Sequence, residues 1–382
     1  MIESENLFFA LLRLSIGTMP VDEAASLMQP YCALGSDDPL WNSLLGLAKK
    51  QSLAGMVYEG MCRLPKEVLP PLAVRRLWMV IGEKLRKKNQ LLFQQSAAAT
   101  RNFLQEGFRS CILKGQGNAL MYPNPYSRQP GDIDIWLDGK RWDIFRYVRG
   151  HFPKEPFKCQ HIEFPVWKET VVEVHFFPSY TMNVIAGRHL KRFFREEAER
   201  QFTHQVTLPD NLGIINMPTP YFNAVYQLTH INLHFLIEGI GLRQFLDYFF
   251  VLRHLERSDH ERVRTLLNKL NLLGFARAVL YVEREVFGLE EEYMFAPVDE
   301  RRGRDLLQEV MISGNFGRYD DRFIKKNAGF WSKQFAKIQR NMRFVRSYPS
   351  EELSEPLFRV GHYLWRQWYQ LKWYLFTLGR KN

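Results

Sequence analysis

The sequence predicts an α+β fold, in which a small mixed β-sheet core is flanked by N- and C-terminal helical regions. Apolar residues recur every three or four positions before the core and again beyond about Pro218, which is the spacing of amphipathic helices. Between these stretches, short apolar runs bounded by turn residues are typical of strands. We therefore divide the chain of 382 residues into an N-terminal helical region (1–107), an α/β core (108–207) and a C-terminal helical domain (208–382).

Composition restricts the class of protein without assigning a function. The net charge of +11 favours an anionic partner such as a nucleotide, a nucleic acid or an anionic membrane surface, although a basic protein without such a partner fits equally well. The four cysteines have neither zinc-site spacing nor a disulfide pattern. The N-terminus lacks the basic segment of a secretory signal, and no apolar run reaches the ~20 residues that span a bilayer. We expect a cytoplasmic protein with reduced cysteines.

The N-terminal region is expected to be helical. The predicted helices are Leu7–Ile16, a segment that begins at Asp22, Trp41–Leu64 and Val74–Phe103. An Asp-Asp-Pro start signal precedes the third segment and prolines follow it. The last segment carries a basic cluster, which we expect to form a solvated helix face. This cluster consists of Lys84, Arg86, Lys87 and Lys88.

The core is expected to alternate strands with helices. The predicted strands are Cys111–Lys114, Asp132–Leu137, Lys158–Trp167 and Lys168–Phe177. Two amphipathic or charged segments, Lys140–His151 and His189–Phe202, are predicted to be helices.

Helical periodicity returns in the C-terminal region. The predicted helices are Tyr221–Leu236, Gly241–Leu255, Glu261–Leu270, Leu273–Phe287 and Glu355–Leu378. The last helix is crowded with aromatic residues on more than one face, so we favour its burial against other helices. Attachment to an anionic membrane surface and stacking on nucleic-acid bases are the alternatives. The basic residues that these alternatives would use are Arg359, Arg366, Lys372, Arg380 and Lys381.

Two aspartates, Asp132 and Asp134, lie one residue apart in the second predicted strand. Because side chains alternate along a strand, both point to one face while Ile133 and Ile135 point into the core. Carboxylates among isoleucines are costly to bury without a partner. Two carboxylates on one edge form a hard oxygen site that suits Mg²⁺ or Mn²⁺.

A third carboxylate is expected from the last strand of the core, where Glu173 and His175 share one face. If that strand lies beside the aspartates, three carboxylates converge, an arrangement that is unfavourable without a cation. Glu173 would complete the metal site and act as a base or orient the acceptor hydroxyl. Glu163 is the competing third carboxylate.

A glycine turn, Lys114-Gly115-Gln116-Gly117, follows the first predicted strand. The glycines allow a phosphate close to the backbone, a helix beginning near Gln116 would point its N-terminus at it, and Lys114 could reach a triphosphate. An ordinary strand-to-helix turn with a surface lysine is the alternative. Arg128 is expected to pair with the first aspartate or with a phosphate, because its guanidinium favours such groups.

Two pairs of polar residues lie four positions apart on the predicted helices of the C-terminal region, so each pair shares a helix face. His230 and His234 could contact a substrate, bind a metal or form a structural pair, and no third metal ligand is evident. Arg243 and Asp247 could form an ion pair along their helix.

The core resembles the nucleotidyltransferase superfamily related to DNA polymerase beta, on the motifs LKGQGNALMYPNPYSRQPGDIDIWL and VVEVHF. More narrowly, it is similar to an uncharacterised bacterial nucleotidyltransferase-like family with an LKG, YP, R and DID core and a later E-x-H strand. The resemblance implies that Asp132 and Asp134 are metal ligands and that Glu173 is the third acidic residue. It also implies that Lys114 and Gly115 lie in the nucleotide-binding turn.

The resemblance extends to the motifs LTHINLH and LRQFLD, and so implies that His230, His234, Arg243 and Asp247 line the cleft. We expect His175, on the same strand face as Glu173, to line the substrate cleft as well. One feature departs from the superfamily. Related enzymes usually carry Gly-Ser or Gly-Gly in the turn, where a hydroxyl and amides hold the triphosphate, and here Gln116 takes the second position.

These observations lead to one expected function and two alternatives. We expect a Mg²⁺- or Mn²⁺-dependent nucleotidyltransferase that transfers a nucleoside monophosphate from an NTP, with ATP as the expected nucleotide, to an unknown acceptor and releases pyrophosphate. A non-catalytic module that binds a nucleotide or a partner on the same fold is the first alternative. A nucleic-acid-binding protein that uses the basic helices is the second.

Overall fold

The N-terminal region of the computed structural model, which describes residues 3–320, 322 and 329–379, is helical as predicted. Its helices are α1 (Glu3–Ile16), α2 (Val21–Met28), α3 (Pro39–Lys50), α4 (Ala54–Cys62) and α5 (Leu72–Gln105). The single helix predicted over 41–64 is wrong. The chain breaks between α3 and α4 because Ser52 has a φ of +56°, which an α-helix cannot accommodate.

The core contains a mixed four-stranded sheet, as predicted. Its elements are β1 (Ser110–Ile112), α6 (Gln116–Ala119), β2 (Ile133–Leu137), α7 (Arg141–His151), β3 (His161–Glu163), β4 (Val172–His175) and α8 (Val184–Gln201). The strand order is β1-β2-β4-β3, with β2 parallel to β4 and the other pairs antiparallel. The third and fourth strands are shorter than predicted. Pro165 lies just beyond β3, and a residue without an N–H cannot continue a strand ladder.

A second sheet is absent from the sequence-based prediction. It is the antiparallel pair β5 (Gln205–Thr207) and β6 (Ile214–Asn216). Asp210 and Asn211 both have positive φ in the connection, a conformation that short polar side chains tolerate. The Asn216 side-chain amide donates to the Ser110 carbonyl at 2.9 Å, which fixes the pair beside β1.

The C-terminal region is helical. Its helices are α9 (Pro220–Ile237), α10 (Leu242–His254), α11 (His260–Lys269), α12 (Leu273–Val282), α13 (Glu300–Ser313), α14 (Phe330–Phe344), α15 (Pro349–Glu352) and α16 (Glu355–Leu378). The predicted bounds of α9 to α11 are correct within one residue, and those of α16 are correct at both ends. The predicted basic residues Arg380 and Lys381 lie outside the described residues. No described helix has the length and hydrophobicity needed to cross a bilayer.

The two faces of the four-stranded sheet pack into different cores. Ile133, Ile135 and Val174 point into an apolar core that α5 and α7 complete. Trp136 points to the opposite face, where it stacks on Phe222 of α9 and joins a larger core built from N- and C-terminal helices. The alternation predicted from the sequence is therefore present, and it sends the acidic side chains of β2 and β4 toward the helices of the C-terminal region.

The predicted burial of α16 holds for only one side of the helix. Its inner side packs on the core through Trp365 and Tyr369, which make edge-to-face contacts with Phe157 and Phe145 respectively. The outer side is exposed, and none of the residues of α16 is fully buried. The prediction failed here because the aromatic residues that spread around the helix do not all have a protein surface to cover.

Candidate active site

Three carboxylates converge at one edge of the four-stranded sheet. Asp134 lies directly opposite Glu173 in the parallel pairing of β2 with β4, and Asp132 directly precedes β2. Oxygen atoms of Asp132, Asp134 and Glu173 all lie within 4.8 Å of one another. Glu163 lies opposite Glu173 on the edge strand β3, but it is outside this group of described residues.

The electrostatics of the three carboxylates differ although they are neighbours. Burial and the charge of Asp134 raise the pKa of Asp132 above its ordinary value. Burial would raise the pKa of Asp134 too, but Lys114 and His175 outweigh it and the pKa is lowered. Burial likewise opposes ionisation of Glu173, but the neighbouring imidazoles of His161 and His175 hold its pKa well below the usual range. The cluster therefore has an ionised pair and one carboxylate that resists ionisation.

Two histidines on neighbouring strands support the carboxylates. His175 Nε2 lies 3.0 Å from Asp134 Oδ1 and 3.7 Å from Glu173 Oε2. Burial lowers the pKa of His175, but these two carboxylates raise it overall to about 9, so the imidazole is protonated at neutral pH. His161, directly opposite His175 on β3, places Nδ1 2.9 Å from Glu173 Oε2.

His161 was not predicted as a site residue. It lies two positions before Glu163 in HIEF and so shares a strand face with it, which was the available signal. Recognising it required the knowledge that β3 pairs with β4.

Lys114 contacts the carboxylate cluster directly. Its ammonium lies 3.2 Å from Asp134 Oδ2 and 3.3 Å from His230 Nε2. Burial lowers the pKa of Lys114, but Asp134 and Asp132 raise it above its ordinary value. Burial and the nearby Lys114 charge hold the pKa of His230 well below its ordinary value, so the neutral imidazole can accept a hydrogen bond from the ammonium.

His234 has a different partner from His230. The two rings are 4.2 Å apart at their centroids, and His234 Nδ1 lies 2.5 Å from Glu238 Oε1. Neither histidine belongs to a metal-binding group among the described residues. The structure therefore places His230 at the acidic cluster and His234 one helical turn away from it.

The glycine turn after β1 is tightly packed. Gly115 has a φ of +65°, which favours glycine, and it precedes α6, a single turn of helix. The side chain of Gln116 points inward, where its Oε1 lies 3.3 Å from Ser96 Oγ. A Cβ on Gly117 would lie 3.1 Å from the Met217 Cβ, so packing explains this glycine.

We expected Arg128 to pair with Asp132 or with a phosphate, but its protein partner is a different carboxylate. Arg128 forms a buried bidentate ion pair with Asp247, with Nε–Oδ1 at 2.8 Å and Nη2–Oδ2 at 2.7 Å. The Tyr122 hydroxyl also donates to Asp247 Oδ1 at 2.7 Å. The side-chain amide of Asn89 on α5 donates to the carbonyls of Tyr126 and Arg128, at 2.7 and 2.8 Å. This cluster joins the loop before the acidic pair to α5 and α10.

Arg243 is buried without a carboxylate partner among the described residues. Because Asp247 pairs with Arg128, the predicted ion pair along α10 is wrong. The Arg243 guanidinium donates to the Gln129 carbonyl at 3.4 Å and lies over the Phe316 ring, and its Nε has no partner. Burial and the charge of Arg128 lower its pKa, although Asp247 and Asp132 oppose the shift.

The residues fit a divalent cation. Three carboxylate oxygens suit a hard cation such as Mg²⁺, and a cation would favour ionisation of Asp132, whose pKa is raised by burial and by Asp134. His161, Glu173 and His175 form a second group whose ligand atoms converge, sharing Glu173 with the first. Imidazole ligands suit transition metals better than Mg²⁺.

Comparison with known proteins places the chain in a family. No curated protein matches the sequence. Among solved structures, the chain is similar to an antigenic nucleotidyltransferase-like protein from Paracoccidioides brasiliensis, with 13% sequence identity and a TM-score of 0.30 over 51% of this chain and 96% of that one. Residues 37–288, more than half of the chain, match a family described as uncharacterised nucleotidyltransferase. The chain belongs to this uncharacterised nucleotidyltransferase family.

Proposed function

We propose that the protein is a divalent-metal-dependent nucleotidyltransferase that transfers a nucleoside monophosphate from an NTP to an acceptor and releases pyrophosphate. The observation that carries the proposal is the convergence of Asp132, Asp134 and Glu173 from two parallel neighbouring strands. Membership of the family supports the reaction class. ATP is the nucleotide that we would test first, and the acceptor is a hydroxyl or a phosphate.

Asp132, Asp134 and Glu173 would hold Mg²⁺ or Mn²⁺. When bound, the ion would neutralise charge on the triphosphate and stabilise the attacking and leaving oxygens of an in-line displacement. Glu173 is better suited to this role than to that of a general base, because His161 and His175 lower its pKa and so weaken it as a proton acceptor. His161 and His175 position Glu173 and Asp134 through their ring nitrogens.

Lys114 and Arg243 are the cations that we propose for the triphosphate. Lys114 lies at the edge of the cluster and is 14% exposed at its side chain, so its ammonium can turn from Asp134 to a phosphate. Arg243 is buried near the cluster and keeps an unused N–H. Arg128 is excluded from this role because both arms of its guanidinium are used by Asp247, and it instead positions α10.

A test uses the Asp132→Asn and Asp134→Asn variants, separately and together. We expect wild-type protein to bind NTP in calorimetry only when Mg²⁺ or Mn²⁺ is present, and to release pyrophosphate once an acceptor is supplied. Both signals should be lost in the double variant. Asp143→Asn, which removes a half-exposed carboxylate from α7, is the matched control. Metal-dependent NTP binding and turnover that survive in the double variant would contradict the proposal.

A non-catalytic nucleotide-binding module is the second candidate. It is favoured by the inward-facing Gln116, which occupies the turn position where related enzymes carry a phosphate-binding hydroxyl or a glycine. This candidate predicts metal-dependent NTP binding without pyrophosphate release for any acceptor, including water. Calorimetry and a pyrophosphate assay on the same sample separate the two functions.

A further inference from the structure

The outer side of α16 carries an exposed strip of apolar residues. Four leucines, spaced seven residues apart, run along it and are 45% to 75% exposed. They are Leu357, Leu364, Leu371 and Leu378. The strip also includes Val360, Tyr363, Gln367, Trp368, Tyr374 and Leu375. We call these ten residues the leucine strip; it extends ~32 Å along the helix axis.

The spacing of the leucine strip is that of a coiled-coil seam. If the four leucines occupy position a of a heptad, Val360, Gln367 and Tyr374 fall at position d. The residues at e and g are Gly361, Tyr363, Trp368, Gln370, Leu375 and Thr377, none of which is charged. A helix that packs only against its own protein needs no such repeat on its outer side. The repeat therefore indicates a second helix on that side.

We propose that the leucine strip is a twofold-symmetric dimer interface, in which α16 packs against α16 of a second copy of the chain. A twofold interface uses the same patch on both copies, and a strip without charges can face itself without repulsion. Within the part of the chain that the structure describes, nothing covers the strip.

The area of the strip fits a stable dimer. Tyr363, Trp368 and Tyr374 are each about 60% exposed, and together they offer on the order of 350 Å². The seven remaining side chains bring the strip to the scale of the ~800 Å² per partner that specific interfaces bury. This area exceeds the ~300–600 Å² of the largest apolar patch on a typical monomer.

Two observations favour a second copy over an anionic membrane. An interfacial helix carries Lys and Arg beside its apolar face, but two of the three described basic residues of α16 are held by the protein itself, because Arg359 pairs with Glu355 and Lys372 lies 3.9 Å above the Trp142 ring; Arg366 is exposed. Gln367 lies at the centre of the strip, where a bilayer would bury its amide without a partner. In a twofold dimer, Gln367 faces its own counterpart, and two amides can hydrogen-bond to each other.

The first test measures the mass of the full chain in solution by light scattering or sedimentation over a range of concentrations. We expect the wild type to have twice the mass of one chain, and Leu364→Glu with Leu371→Glu to have the mass of a single chain at the same concentration. Leu104→Glu, which places a charge at a leucine that is 61% exposed on α5, is the matched control and should remain dimeric. A monomeric wild type at every concentration would overturn the proposal.

The second test does not depend on the folding of a charged variant. Under mild oxidation, Gln367→Cys should form a disulfide-linked dimer, whereas Arg366→Cys, one residue away and outside the strip, should cross-link at least tenfold less. Equal cross-linking of the two variants would contradict the interface. Binding to vesicles of anionic phospholipid by a wild type that stays monomeric would instead assign the strip to a membrane surface and overturn the dimer.

Discussion

Two buried clusters of charged residues in this protein differ in whether their charges balance. Around Asp247, one arginine and one tyrosine donate hydrogen bonds to both oxygens of the carboxylate. Around Asp134, three carboxylates meet one lysine and one protonated histidine, so the carboxylates outnumber the cations. The balanced cluster needs nothing further and ties segments of the chain together. The unbalanced cluster can accept an added cation, which is what a metal site requires.

The largest expected effect comes from breaking the balanced cluster. Arg128→Met leaves the Asp247 carboxylate buried without its cation and should destabilise the protein by ~3–5 kcal/mol in denaturant unfolding. Replacing both partners, with Arg128→Met and Asp247→Leu, removes the unpaired charge and should recover part of this loss. A single variant as stable as wild type would show that the pair contributes little and would weaken the comparison.

The second prediction concerns a substitution that should reduce activity without reducing stability. Asp132→Asn removes a carboxylate whose pKa is raised by burial and by Asp134, so without metal the free energy of unfolding should be unchanged or higher. Metal-dependent turnover should nevertheless fall by ~100-fold or more, the scale of losing one stabilising group in a reaction site. Unfolding curves and pyrophosphate release measure the two quantities. If Asp132→Asn greatly lowered the stability of the metal-free protein, Asp132 would have a structural role instead.

The third prediction concerns the stabilisation that a bound cation should give, and how it depends on each of the two clusters. Mg²⁺ at a hundredfold excess over its Kd should stabilise wild-type protein by ~2.7 kcal/mol and raise the Tm. The stabilisation should disappear in Asp134→Asn and persist in Arg128→Met, measured relative to that variant without metal. If Mg²⁺ and Mn²⁺ leave the Tm of the wild type unchanged, the acidic cluster is not a metal site.

The smallest effect tests Glu352, a buried carboxylate outside the site, whose Oε1 has no hydrogen-bond partner among the described residues. Burial and the charge of Glu355 raise the pKa of Glu352 to about 8. Because the folded state favours its protonated form, this group stabilises the fold below the ordinary pKa of glutamate and loses that contribution as the pH rises through 8. Glu352→Gln should therefore raise the Tm above pH 8 and leave it unchanged near pH 4.

Calorimetric scans across that pH range measure the effect of Glu352→Gln, with Glu67→Gln, an exposed glutamate in the N-terminal region, as the control. A Tm difference that does not depend on pH would show that Glu352 is paired in the folded protein.

The acidic pair was predictable because its geometry is local. Strand alternation alone sends Asp132 and Asp134 to one face and Ile133 to the other, whatever the rest of the chain does. The position of Glu173 beside the aspartates depends on the pairing of β2 with β4, which the sequence analysis had to assume.

Other parts of the site depend on contacts between distant segments. Arg128 and Asp247 are separated by 119 positions, and nothing in either neighbourhood indicates the other. For Asp247, the local signal was misleading, because Arg243 lies at ion-pair spacing on the same helix yet turns to a carbonyl instead. His161 was missed for a related reason, since its role follows from the strand beside it. The fold was predicted better than the site because helix periodicity is local and ion-pair partners are not.

The side-chain amide of Asn89 links the long helix α5 to the α/β core. Both of its hydrogens are given to carbonyls of the loop that precedes the acidic pair, although α5 lies in the region that sequence periodicity assigns to a helical flank. A fragment that began at β1 would keep every proposed metal ligand and lose the donor that holds their loop. A shortened form of this protein that keeps the loop in place should therefore include Asn89 and the part of α5 that carries it.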